Sequence, residues 1–144
     1  MMFSLKDKKY TMNDKKLADM IMEKGVDNVN LAMLDDAKRK SILSHAAQAY
    51  VKKNNISEAV RLFAMAENKE KLVELFDWLL EQRRYKQAAQ ASIPTDDKER
   101  QNMIAEICLR ERLFETAANV YTAMGNTVMT KFISENFPLE DFEG

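Results

Sequence analysis

Apolar residues recur along this chain in two interleaved rhythms, one with the period of a helix and one much longer. The short rhythm is plain from Ala46 onward. Ala46, Ala47, Tyr50 and Val51 fall on one face of a helix, and Ala59, Leu62, Phe63 and Ala66 make the stripe of a second. Asn54 and Asn55 interrupt the two, with Ser57 the expected cap of the second. The long rhythm emerges when positions are compared down the chain. Ile56, Tyr85 and Phe114 are 29 apart, and so are Ala59, Ala88 and Ala117, then Val60, Ala89 and Ala118, then Phe63, Ser92 and Tyr121. The same step links Ala46, Leu75 and Ile104, then Ala47, Phe76 and Ala105, then Val51, Leu80 and Leu109. So many columns in one register predict three copies of a two-helix unit over residues 42–126. The small Ala59, Ala88 and Ala117 suit the crossing of two helices, where a large side chain would wedge them apart.

Punctuation extends the pattern. Asp96 with Glu99 predicts a capping box that opens a helix running through Arg112. Pro94 stops the helix before it, and Gly125 is placed for a left-handed C-terminal residue. Val128, Met129, Phe132 and Ile133 predict a capping helix over 127–137, followed by an acidic tail over 138–144. Near the start, Thr11 and Asp14 open a helix that Gly25 ends, with Leu17, Met20 and Ile21 inside. The stretch Val29–Met33 echoes Ile56–Val60 at a step of 27, so residues 1–36 are expected to form N-terminal helices acting as a degenerate capping repeat. Residues 1–144 are thus expected to be one helical-repeat domain, an all-α, right-handed α-solenoid of antiparallel hairpins with about eight or nine helices.

The first unit resembles a tetratricopeptide repeat at Leu43, Ala46, Ala47, Tyr50, Ala59, Phe63 and Ala66. The third matches at Ala105, Ala117 and Tyr121, with Cys108 where the family has tyrosine and Met124 for its last alanine. The middle unit departs at Phe76, Ser92 and Thr95, and the period is shorter than the family's, which is about 34 residues. Short hairpins of this kind are also similar to the solenoids of clathrin- and coatomer-type coat proteins. The resemblance implies a scaffold that binds other proteins on a concave face lined by the first helix of each hairpin. Carried over, the exposed inner positions are Ser44, Gln48 and Lys52, then Val73, Asp77 and Glu81, then Asn102, Glu106 and Arg110. The lysine–asparagine clamp by which some members hold a C-terminal carboxylate is absent, the centre carrying Asp77, Glu81 and Glu106 instead. A partner peptide with basic residues beside apolar anchors would suit that strip.

Composition narrows the classes. With only three glycines and two prolines among 144 residues, a turn-rich β protein is disfavoured, and the abundant Ala, Leu, Met, Glu, Lys, Gln and Arg favour helix. The formal net charge of −1 gives no global attraction to nucleic acid or an anionic membrane surface. Lys6, Lys8, Lys9, Lys15 and Lys16 open the chain while Glu135, Glu140, Asp141 and Glu143 close it, read as two solvated termini. A lone cysteine allows no internal disulfide, and no apolar run approaches ~18 residues, so a soluble cytoplasmic protein without membrane insertion is expected.

Catalytic chemistry is not written in the usual motifs. There is no glycine-rich phosphate loop, Cys-x-x-Cys or His-Glu-x-x-His, so neither cofactor nor metal is expected, and the chain is not expected to be an enzyme. His45, the only histidine, sits among alanines and serines and reads as a packed or rim residue. Cys108 falls in the core register, where a thiol behaves as a small hydrophobe. The ten methionines read as gap-fillers, and Trp78 as helix packing or, less favoured, a binding anchor. Arg83, Arg84 and Lys86 cluster at the turn of the second unit, an alternative basic edge for an anion. The expected function is a non-catalytic adaptor for a partner peptide or helix. A nucleic-acid-binding helical repeat and a regulatory subunit of a larger transport or enzyme complex are the alternatives, and self-association is open.

Overall fold

A computed structural model describes residues 12–142, with side chains from Asp14. Thr11 and the lysines at positions 6, 8 and 9 lie outside the described residues, as do Glu143 and Gly144. The described chain is all-α. Its eight α-helices are α1 (Met12–Lys24), α2 (Asp36–Lys52), α3 (Ile56–Met65), α4 (Lys69–Glu81), α5 (Tyr85–Ser92), α6 (Lys98–Arg110), α7 (Phe114–Ala123) and α8 (Thr127–Asn136). Short 3-10 turns follow α1 and α5, and one isolated antiparallel bridge joins Leu113 to Asp141.

The long step of the sequence governs the backbone as well as the side chains. Helices α3, α5 and α7 begin at Ile56, Tyr85 and Phe114, and α4, α6 and α8 begin at Lys69, Lys98 and Thr127, each series keeping the same interval. Asn54, Arg83 and Arg112 all adopt positive φ (58–64°), and one step before Asn54 stands Gly25 with φ 87°. Glu67, Asp96 and Gly125 form a second left-handed series at the same step. At the first series the chain turns out of a helix with paired bonds, Asn54 N to Val51 O and Asn55 N to Tyr50 O, repeated at Arg83–Arg84 and at Arg112–Leu113. This is the Schellman arrangement, which satisfies carbonyls that the helix end leaves open. After the second series, Asn68, Asp97 and Asn126 accept from the amides of Lys71, Arg100 and Met129 at 3.0–3.1 Å, so α4, α6 and α8 all start with the same side-chain cap.

Two expected caps move. The cap of α3 is Asn55, whose Oδ1 faces the Glu58 amide, while Ser57 lies inside the first turn. The cap of α6 is Asp97, because Asp96 takes the left-handed conformation, and the helix ends at Arg110 with Arg112 in the following turn. Pro94 sits in a 3-10 turn (Ile93–Thr95) that closes α5, and Gly125 is left-handed after α7, both as the sequence predicts. Residues 29–33 do not form a helix. An irregular loop stands there instead, after the 3-10 turn Val26–Asn28.

The chain divides into two compact units, Met1–Lys71 and Leu72–Gly144. In the first, α2 packs against α1 and α3. Ile21, Ile42, Leu43, Ala46, Ala47, Ala59, Leu62 and Phe63 form its core. Salt bridges fix the N-terminal segment to it, Asp14 to Lys38 at 2.6 Å and Asp27 to Arg61 at 2.7 Å. In the second, α6 packs against α5 and α7, α5 against α7, and α7 against α8. Its core holds Leu75, Phe76, Leu79, Ala88, Ile104, Ala105, Cys108, Ala117, Val120, Tyr121 and Ile133. Ala59, Ala88 and Ala117 are fully buried, as a close helix crossing requires. No described helix is long and apolar enough to cross a membrane.

Candidate protein-binding surfaces

The first-helix positions divide by burial. In Met1–Lys71, Ser44 and Gln48 are not exposed: they are 3% and 1% accessible, and only Lys52 reaches solvent. The physical reason lies in the turn between α3 and α4. Asn68, which caps α4, also donates through Nδ2 to Ser44 Oγ at 3.0 Å, and this turn covers the Ser44 stripe of α2. The Gln48 amide, one turn further on, makes no protein hydrogen bond.

In Leu72–Gly144, Asp77, Glu81, Asn102, Glu106 and Arg110 are exposed and Val73 is half-buried. They do not form a simple acidic strip. Arg100 donates from Nε and Nη2 to the two Asp77 oxygens at 3.0 Å each, and from Nη1 to Asp97 at 2.7 Å. The two carboxylates raise the Arg100 guanidinium above its ordinary value, and Arg100 holds the Asp97 carboxyl below the usual range. Bidentate pairing neutralises Asp77 and fixes its orientation. What faces solvent is a mixed strip of Glu81, Asn102, Glu106 and Arg110, with Asn102 Nδ2 placed 3.4 Å from Glu106.

The basic edge is built by the left-handed turn before α5. Arg83 occupies it at φ 58°, and Arg84 lies over the Trp78 ring at 5.6 Å. Trp78 is itself half-buried on α4. Arg83, Arg84, Tyr85 and Lys86 line a cleft of about 700 Å³, faced by Glu111, Leu113 and Phe142. A second cleft of about 350 Å³ lies between α5 and α7, with Lys86 and Gln87 also in its lining, beside Ala89, Ile93, Thr116, Asn119 and Val120.

The tail expected to be solvated is instead docked on α7. Phe137 stacks on Phe114 at 4.4 Å between centroids with the planes 5° apart, and Phe142 meets the same ring edge-on at 6.1 Å. Phe142 N donates to Arg112 O at 2.9 Å, and the Arg112 guanidinium lies 5.0 Å from the Phe142 ring. Helix α7 begins after Leu113, a residue that cannot cap it. Asp141 supplies the missing cap from far along the chain, accepting from Thr116 N at 3.0 Å and Thr116 Oγ1 at 2.7 Å. Lys86 Nζ approaches the same carboxylate at 3.5 Å. Burial pushes the Asp141 carboxyl up, but the Thr116 bonds and the Lys86 charge outweigh it, leaving its pKa below the ordinary value. Phenylalanines at 132, 137 and 142, with Asp141 beside the last, were the available signal, an even aromatic spacing that runs from the predicted capping helix into a tail read only for charge.

The remaining candidate residues are not assembled. His45 is half-buried on α2, and Cys108 is buried on α6 with its thiol pushed up to about 12, chiefly by burial. Among the described residues, no group of three or more His, Cys, Asp or Glu side chains could hold a metal ion. Comparison with protein-family models, curated proteins and solved structures finds no match to this chain.

Proposed function

We propose that the chain is a non-catalytic protein-interaction module, a right-handed stack of short tetratricopeptide-like hairpins that presents its first helices to a partner peptide or helix. The observation that carries this reading is the recurrence of turn geometry. Two left-handed positions recur per repeat, the first of each pair with the same helix-end bonding, and this supports reading each copy as a two-helix unit. Such units offer extended polar surface on a rigid frame. On α4 and α6 that surface is Glu81, Asn102, Glu106 and Arg110, beside the neutralised Asp77. A partner with a basic residue for Glu81 or Glu106 and apolar contacts nearby suits it, charge guiding encounter and apolar burial supplying affinity.

The test is affinity capture from the native cell followed by titration of the captured partner. Glu81→Lys with Glu106→Lys should weaken binding at least about tenfold, while the thermal melt moves little because exposed charges contribute little to stability. Unchanged affinity in the well-folded double variant would remove this face as the binding surface.

A further inference from the structure

The solvent-facing side of the first helices changes character in the last copy. Glu70 on α4, Glu99 on α6 and Val128 on α8 are 29 apart, and so are Glu74, Met103 and Phe132. Val128 is 76% accessible and Phe132 49%, so neither is apolar to suit a core. With Glu135 they keep the i, i+4, i+7 spacing of one helix face. A helix that merely closed a stack would carry a polar outer side.

A second replacement accompanies these. Arg100 on α6 reaches back to Asp77 on α4 with two bonds at 3.0 Å. One step on, Met129 stands in the place of Arg100 and Glu106 in that of Asp77. The acid is kept and the cation is lost, and Glu106 accepts only from Asn102 Nδ2, at 3.4 Å. We infer that this face docks residues 1–11 of a second copy of the chain, with an apolar side chain of that segment on Val128 and Phe132 and a lysine at Glu106, in the role Arg100 plays one repeat earlier.

Composition and charge single out that occupant. Residues 1–11 set Met1, Met2, Phe3 and Leu5 beside Lys6, Lys8 and Lys9, apolar anchors next to cations. Lys15 and Lys16, exposed on α1, continue the basic run. The wider charge agrees. Lys and Arg outnumber Asp and Glu by 14 to 10 in Met1–Lys71, while in Leu72–Gly144 they are outnumbered 8 to 13. Copies are thus attracted head to tail, the basic unit of one to the acidic unit of the next. Glu135 adds a carboxylate to the accepting face. Its pairing with Lys131 is loose, at 3.8 Å between exposed side chains, and such pairs contribute little. Unlike surfaces meet in this contact, so it is heterologous and leaves one segment and one face unoccupied at the ends of an open assembly.

This docking rests on the reading of the first helices as a partner-binding face, and it names the partner. Analytical ultracentrifugation of the full-length protein tests it. The weight-average mass should rise with protein concentration and fall back as salt rises. Two variants separate the halves of the contact. Lys8→Glu with Lys9→Glu alters the segment, and Val128→Ser with Phe132→Ser alters the face. Each alone should stay monomeric where the wild type associates. Mixed in equal amounts they should form a dimer and nothing larger, because one copy keeps a working face and the other a working segment. The lysine pair lies outside the described helices, so its result stands even should the α8 variant fold poorly. A wild type that stays monomeric, a variant that associates like the wild type, or a mixture of folded variants that stays monomeric would overturn the inference. Because the readout is mass rather than capture of another protein, those outcomes leave the reading at Glu81 and Glu106 to its own titration.

Discussion

His45 is half-buried on α2, and burial is the largest influence on its imidazole, disfavouring the cation and lowering its pKa from the ordinary 6.5. Asp19 and Asp14 pull the other way without reversing the shift. The native state therefore binds a proton less readily than the unfolded chain. Stability from this residue is complete above about 6.5 and falls as the pH drops toward the lower native value, since the unfolded state then holds more protons. Melting temperature measured from about pH 7.5 to about pH 5 should fall more for the wild type than for His45→Gln. Equal slopes would show that the imidazole is solvated alike in both states. Burial also explains which residues were misplaced by sequence reasoning. Ser44 and Gln48 look like surface residues by type, and only the fold shows the Asn68 turn lying over Ser44. Cys108 was legible because its neighbours in the register are apolar, and a fully buried thiol is its expected state.

Helices in this chain are held as much by their ends as by their faces. At Gly125 a Cβ would meet nothing within 4 Å, so Gly125→Ala would add no clash and would carry only the conformational cost of φ 75°. The expected loss is about 1–2 kcal/mol by chemical denaturation. Ala117→Leu acts through a different cause. Its site is fully closed, and overpacking should cost about 1–3 kcal/mol, whereas Asn119→Ala on the exposed side of α7 should stay within about 0.5 kcal/mol. Equal effects at 117 and 119 would contradict the register. The 29-residue column of Ile56, Tyr85 and Phe114 was legible, and these residues prove to open α3, α5 and α7, although the expected cap at Ser57 would have started α3 two residues later. Caps were less legible. Ser57, Asn55, Asp96 and Asp97 are all competent capping residues, and the choice between neighbours follows from which one the left-handed turn places at the helix start. That turn falls on Asn54, Arg83, Glu67, Asp96 and Arg112, mostly residues with no strong preference for it, so local sequence does not announce it.

At the scale of the whole chain, contacts run mainly between helices near in sequence, as in α1 with α2, α2 with α3, α6 with α7 and α7 with α8. Destabilisation should then stay local. Hydrogen exchange of Ala117→Leu should quicken first in α6, α7 and α8, leaving amides of α2 and α3 protected. A uniform loss of protection would mean that the chain unfolds as one body. The 29-residue period was readable at this scale because its columns reinforce each other, whereas the tail contact was not: it occurs once, and Asp141 reaches Thr116 across the rest of α7 and all of α8. The left-handed residues at 54, 67, 83, 96, 112 and 125 divide the chain into alternating shorter and longer segments. Each seam of one series has the same conformation at both ends of a repeat. Cutting at two such seams and rejoining them would therefore splice like onto like: excising 84–112 would set Leu113 after Arg83, with the turn intact and α4 leading straight into α7. Turns punctuated in this way would let a 29-residue cassette be removed or inserted with like conformation meeting like at each join.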